Sequence, residues 1–177
     1  MRTLAAIVAT CLILPTGAEE PKKDARPKDG GWTRVSEAGT FEIEFPGKPT
    51  ERASRAGTQY SLQMSSPAAA LLATAATLPT NVDLTDAKAV KVVFDNAVKS
   101  TAESLGAKIV SDKVTTVGDK YPARDVDLET PLFGVYRARW VLTEKGFIQV
   151  VVTGPKEFVD GADARRFRES LKITAKE

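Results

Sequence analysis

Residues 135–153 read VYRARWVLTEKGFIQVVVT. Two runs rich in aromatic and β-branched residues flank Glu144-Lys145-Gly146, the composition of two strands and a tight connection. The spacing predicts a three-residue hairpin loop with Gly146 in the left-handed position. Thr143 then faces Phe147, so that Leu142 meets Ile148, Trp140 meets Val150 and Ala138 meets Val152. All six would fall on one face, with Phe94 above them.

Working outward, Ile109–Val117 and Ala123–Glu129 extend this hairpin into an antiparallel meander. Asp125, Asp127 and Glu129 recur at period two, and Arg137 and Arg139 have the same spacing on the next strand. A single register places Asp127 opposite Arg137 and Asp125 opposite Arg139. Two paired carboxylates are the equipment of a glycosidase. The simpler reading is an ion ladder on a solvated face, worth roughly 0–1 kcal/mol per exposed pair. Arg124 shares its face with Val126 and Leu128, so its charge is either paired or carried to water on a buried stem. Arg124, Asp125, Asp127, Arg137 and Arg139 make up the candidate surface site. Trp32, Tyr136 and Trp140 are candidate sugar-stacking aromatics, although aromatics at strand spacing are more often core.

Upstream, residues 85–105 carry Val90, Phe94, Ala97, Val98, Thr101 and Leu105 as a helical stripe, with Lys88, Lys91, Asp95, Lys99 and Glu103 opposite. Thr85 or Asp83 caps this helix, Gly106 ends it, and Asp95 pairs with Lys99. Phe41, Ile43 and Phe45 alternate on a strand over 40–45. Further strands are predicted over 58–65 and, between Pro67 and Pro79, over 68–78. The chain closes with a helix near 162–171 that turns Phe167 and Leu171 inward. This order gives an α+β domain built on an antiparallel β-sheet, with one long helix and a C-terminal helix.

The N-terminal segment reads differently. Arg2, an apolar run from Leu4 to Leu14, Pro15 and the small residues Thr16-Gly17-Ala18 form the pattern of a secretory signal peptide. Cleavage is expected between Ala18 and Glu19, with Cys11 discarded rather than lipidated. The apolar run is about half of the ~20 residues a spanning helix needs, so no transmembrane segment is expected after cleavage. Residues 19–31, EEPKKDARPKDGG, have nothing to bury and read as a charged linker. Residues 32–177 form a single domain.

Composition excludes much chemistry. The 177 residues contain no His and one Cys. His-dependent triads, dyads and zinc sites are therefore excluded. Residues 1–18 hold one basic and no acidic residue, leaving 24 basic against 23 acidic and a charge of +1. That balance gives no footprint for nucleic acid. No phosphate loop, EF-hand or dinucleotide fingerprint is present, and no cofactor, metal or catalytic residue is assigned.

Four segments in order carry a resemblance: Trp32 with FEIEFPGKP at 41–49, YPARD at 121–125, FIQVVVTGP at 147–155 and RFRESLK at 166–172. Over residues 32–174 the chain resembles a group of exported bacterial proteins of unknown function, related in fold to PsbP, the extrinsic subunit of photosystem II, and to a small Ran-binding nuclear import factor. The group usually has Gly where this chain has Ala123, and an apolar residue where it has Arg168. The resemblance implies a PsbP-like α-β-α sandwich and, since PsbP binds a membrane complex non-covalently, a binding or scaffold role. The expectation is an exported, periplasmic or extracellular module that is not an enzyme and binds another envelope protein or complex. The alternatives are a carboxylate-dependent hydrolase and a small-ligand carrier. Convergent carboxylates in a concave site would favour the first, and an apolar cavity of several hundred Å³ the second.

Overall fold

The computed structural model describes residues 31–54, 57–66, 69–78, 82–144 and 146–174. The expected signal segment with Cys11, its cleavage point at Ala18 and Glu19, and the linker up to residue 30 lie outside those residues.

Seven strands build the main sheet: β3 (Thr50–Ser54), β4 (Gly57–Gln63), β5 (Ala70–Ala76), β6 (Lys108–Val117), β7 (Tyr121–Thr130), β8 (Gly134–Thr143) and β9 (Gly146–Gly154). Their order is β3-β4-β5-β9-β8-β7-β6, and each neighbouring pair is antiparallel. A smaller sheet joins β1 (Thr33–Glu37) and β10 (Lys172–Ile173) to the two edges of β2 (Phe41–Phe45). Among the described residues there are three helices: α1 (Ala87–Leu105), α2 (Lys156–Val159) and α3 (Ala162–Glu169).

The main sheet is covered on both faces. Helix α1 buries Phe94, Ala97, Val98, Thr101, Ala102 and Leu105. These meet Val126, Leu128, Tyr136, Ala138, Trp140, Leu142, Phe147 and Val151. On the opposite face, Phe41, Ile43 and Phe45 of β2 and Phe167 of α3 pack with Ala123, Val141, Ile148, Val150 and Val152. The result is an α+β sandwich with helices on both sides of an antiparallel sheet.

Central strand β9 explains why one expectation fails. All nine of its residues are buried, because each face has its own core. An apolar run buried on both sides cannot specify register by hydrophobicity, since a one-residue slip still buries apolar groups. The observed pairs are Thr143↔Gly146, Leu142↔Phe147, Trp140↔Gln149 and Arg139↔Val150, one residue away from the expected register. Ala138, Trp140 and Leu142 therefore share their face with Phe147, Gln149 and Val151, while Ile148, Val150 and Val152 point the other way. The loop is one residue shorter than expected. Gly146, at φ 154°, is needed for another reason: a Cβ there would stand 2.2 Å from the Ala76 carbonyl oxygen of β5. Trp140 still lies beneath α1. Phe147 bridges it to Phe94, with ring centroids 6.0 and 6.1 Å apart.

Local chemistry corrects two further details. Asp86 caps α1, accepting bonds from the amides of Lys88 and Ala89. Asp83 instead accepts the Thr85 amide at 2.8 Å and its hydroxyl at 2.7 Å, which holds the turn before the helix. Gly106 ends the helix in the left-handed conformation, as its missing Cβ allows. Asp95 pairs with Lys91 rather than Lys99, and Lys99 faces Glu103.

Candidate functional site

The carboxylate–arginine ladder takes the register that its spacing predicts: Asp125↔Arg139 and Asp127↔Arg137. Each pair is two-pronged, because a planar guanidinium matches a carboxylate edge. Arg139 donates from Nε and Nη2 to Asp125 at 2.8 Å each. Arg137 donates to Asp127 at 2.7 and 3.3 Å, and its Nη1 reaches Asp160 at 2.9 Å. Asp160, just after α2, is also bound by Lys156. The ladder is therefore not an open solvated face. The α2–α3 segment lies along it, and its carboxylate side chains retain 30–39% of their exposure.

The charges follow these contacts. The Asp127 hydrogen bond raises the Arg137 pKa despite burial, and the Asp125 bond does the same for Arg139. Lys156 and Arg137 hold the Asp160 carboxyl below its ordinary range.

Arg124 belongs elsewhere. It lies on the α1 side of the sheet, while the other four candidates lie on the opposite side. Its guanidinium grips Asp112 of β6 through two nitrogens and donates Nη1 to Asp95 of α1 at 2.7 Å. Burial works against its charge, yet the Asp95 and Asp112 bonds outweigh burial and raise its pKa. With 11% of its side chain exposed, Arg124 clamps helix to sheet and is not part of a surface site with the ladder. The proposed aromatic platform also dissolves. Tyr136 and Trp140 are fully buried, and Trp32 packs instead with the small-sheet cluster.

A second charged surface lies on α3, where the sequence pattern drew attention only to the inward residues. An open groove of about 410 Å³ runs between α3 and the small sheet, lined by Arg34, Glu42, Glu44, Arg165, Arg166 and Lys172 among others. Glu44 is its fixed centre. It accepts Arg166 at 2.9 Å and Arg34 at 3.2 Å, which keep its carboxyl below the usual range. Its backbone amide donates to Ser170 Oγ at 2.9 Å. Arg166 also stacks over Trp32, 4.0 Å from the ring centroid. Arg165 has no hydrogen bond or ion pair among the described residues and is exposed. The available signal was three arginines in the four residues 165–168, an excess that a solvated helix face does not need.

Among the described residues no group of three or more metal-binding side chains converges, and no helix is long and apolar enough to cross a membrane.

Comparison with known proteins agrees at the level of fold. The structure superposes on the solution structure of cyanobacterial PsbP (CyanoP) from Synechocystis with a TM-score of 0.60 and 13% identity, over 90% of this chain and 99% of that one. The fold is PsbP-like. A protein of unknown function from Pseudomonas aeruginosa, PA94, matches with a TM-score of 0.42 and 14% identity, over 73% of this chain and 87% of that one. No family model matches the chain, and no curated protein matches it by sequence.

Proposed function

We propose that this protein is an exported, non-enzymatic binding module that docks on another protein or complex of the cell envelope through the groove beside α3. The groove itself carries the reading: it is open, lined by charges of both signs, and presents Arg165 without a partner among the described residues. Mixed charge around a shallow surface sets register and partner choice. Export rests on the signal-like pattern of residues 1–18, and docking accords with the role implied by the resemblance to PsbP.

The alternatives find less support. A glycosidase acid must hold its proton near neutral pH. Glu44 in the groove is kept ionised by two arginines, and Asp125 and Asp127 are each gripped by one. A carrier of apolar ligands needs a largely apolar pocket, whereas this groove is open and charged.

Photo-crosslinking from position 165 in cells of the source organism, followed by mass spectrometry, tests the proposal. A discrete envelope partner is expected, with its yield reduced at least tenfold by reversing the charge at Lys172 (Lys172→Glu). Diffuse labelling unaffected by that reversal would overturn it.

A further inference from the structure

The two edges of the main sheet differ. Strand β3 closes one edge with five residues, TERAS, all exposed and none of them large and apolar. Brevity and charge protect an edge, because a free strand offers its unpaired amides and carbonyls to any other strand. Strand β6 closes the other edge with ten residues and has β7 as its one strand neighbour among the described residues. It leaves Ile109, Val110 and Val114 exposed, and Val114 keeps 83% of its surface.

Two features bound the part of β6 that can accept a strand. The register against β7 shifts between Ile109 and Ser111, so Val110 is an extra residue that interrupts regular pairing. After Val117 the chain turns back through Gly118 and Asp119, both at positive φ. The regular run therefore covers 111–117, and its midpoint is Val114.

A second copy of this run fits it. Antiparallel strands related by a two-fold axis place one residue opposite its own copy. Centred on Val114, the pairing uses 111–117 from end to end. Val114 meets Val114, Lys113 meets Thr115, Asp112 meets Thr116 and Ser111 meets Val117, so no like charges stand opposite each other. Asp112 is already held by Arg124, and Lys113 stands across from Asp125 on β7. Centring on Asp112 or on Lys113 would set like charges directly opposite, which is destabilising, and would shorten the overlap.

We propose that two copies of this protein associate antiparallel along β6, with Val114 on the two-fold axis, joining their main sheets into one continuous sheet. The backbone ladder supplies hydrogen bonds, and the Val114 pair withdraws an exposed apolar side chain from water. The strand shares no residue with the groove beside α3, and its pairing is independent of the docking role. A single strand pair is a small contact, so the dimer should exchange with monomer.

Sedimentation equilibrium of the purified protein from about 10 µM to about 1 mM, at constant ionic strength, should show a reversible monomer–dimer equilibrium. Val114→Lys should weaken it about tenfold or more, since it sets two ammonium groups face to face on the axis. Substitutions at Thr115 test the register. Thr115→Glu sets an acid opposite Lys113 of the second copy, twice per dimer, and should tighten association severalfold. Thr115→Lys should weaken it to a similar degree. Because one variant is expected to associate more tightly than the parent, a general loss of fold cannot mimic the result. A parent that stays monomeric throughout, a dimer indifferent to Val114→Lys, or equal effects of the two Thr115 variants would each overturn the pairing.

Discussion

Replacing Trp140 with alanine should lower the unfolding free energy by about 3–4 kcal/mol, and replacing it with phenylalanine should change it by about 1 kcal/mol or less. Trp140 is fully buried between α1 and the sheet. A buried Trp withdraws about 200 Å² from water, worth about 5 kcal/mol at ~25 cal/mol per Å². Its indole Nε1 has no hydrogen-bond partner among the described residues. Burying that donor unpaired offsets about 1–2 kcal/mol. The difference agrees with the range of ~3–5 kcal/mol for truncating a buried aromatic to alanine. Phenylalanine keeps the contact toward Phe147 and removes the orphan donor, so its two effects oppose each other. Urea unfolding followed by far-UV circular dichroism avoids relying on the fluorescence of the residue being removed. In a domain of this size the alanine variant should melt about 10 °C lower. A loss above about 2 kcal/mol in Trp140→Phe would show that the indole donor is satisfied, and the reasoning about its cost would fall. A loss below about 1 kcal/mol in Trp140→Ala would place Trp140 outside the core.

Thr101 has the same defect in milder form, a fully buried hydroxyl without a partner among the described residues; Thr101→Val should stabilise by up to about 1 kcal/mol, and destabilisation in urea unfolding would reveal a hidden hydrogen bond. Gly146→Ala should cost at least about 2–3 kcal/mol, since the new Cβ meets the β5 backbone rather than a movable side chain; an unchanged melting temperature would contradict that close approach. Asp125→Asn with Asp127→Asn should cost about 2 kcal/mol, between exposed and buried pairs, and adding Arg168→Gln should recover part of it; strict additivity of the melting shifts would show that Arg168 does not feel the ladder. Glu44, Asp95 and Asp160 all have carboxyls held below their ordinary range by arginine or lysine partners. A lowered folded pKa contributes stability that is fully present above the ordinary carboxylate range of about 4 and is lost as pH falls below it. With no His in the chain, urea midpoints should stay flat from about pH 6 to 8 and decline only in acid; a step near pH 6.5 would point to a group outside this set.

What could be read from the sequence depended on how one-sided each segment is. Asp125 and Asp127 alternate with Val126 and Leu128, so setting Asp125 against Arg139 and Asp127 against Arg137 keeps acids opposite bases on one face, and that register is observed. Helix α1 has a single apolar stripe, and its buried residues follow that stripe. Strand β9 has no polar side to set its register, so its partner slipped by one residue. Strand β3 reads TERAS and is exposed throughout, β1 carries one buried apolar residue, and β10 is two residues long. These strands exist because a neighbouring strand offers its hydrogen bonds, which no local pattern records.

The charged surfaces were harder to read for a related reason. In α3 the core contact falls to Ala164 and Phe167, with the Phe167 ring tilted against Phe45 and their centroids 4.7 Å apart. Eight residues are too few for a helix to hold its shape alone, so that aromatic contact positions the whole element. Once Phe167 is fixed, Arg166 reaches the Glu44 groove while Arg168 is left half-buried, its charge disfavoured by that burial and by Arg137 and Arg139. A sequence shows three nearby arginines as one solvated basic cluster. The fold divides them into a residue with a carboxylate and an indole, a residue facing open solvent, and a residue with no ion pair among the described residues. That division depends on which strands flank the helix, and so on long-range topology rather than on spacing. Arg124 shows the same logic in reverse: beside Val126 it looked like a candidate for the surface, and the fold supplies Asp95 and Asp112 from two other elements to bury it. Charge in this protein becomes informative only when the partners that the fold brings to each guanidinium are counted, and Arg168 is where they fall short.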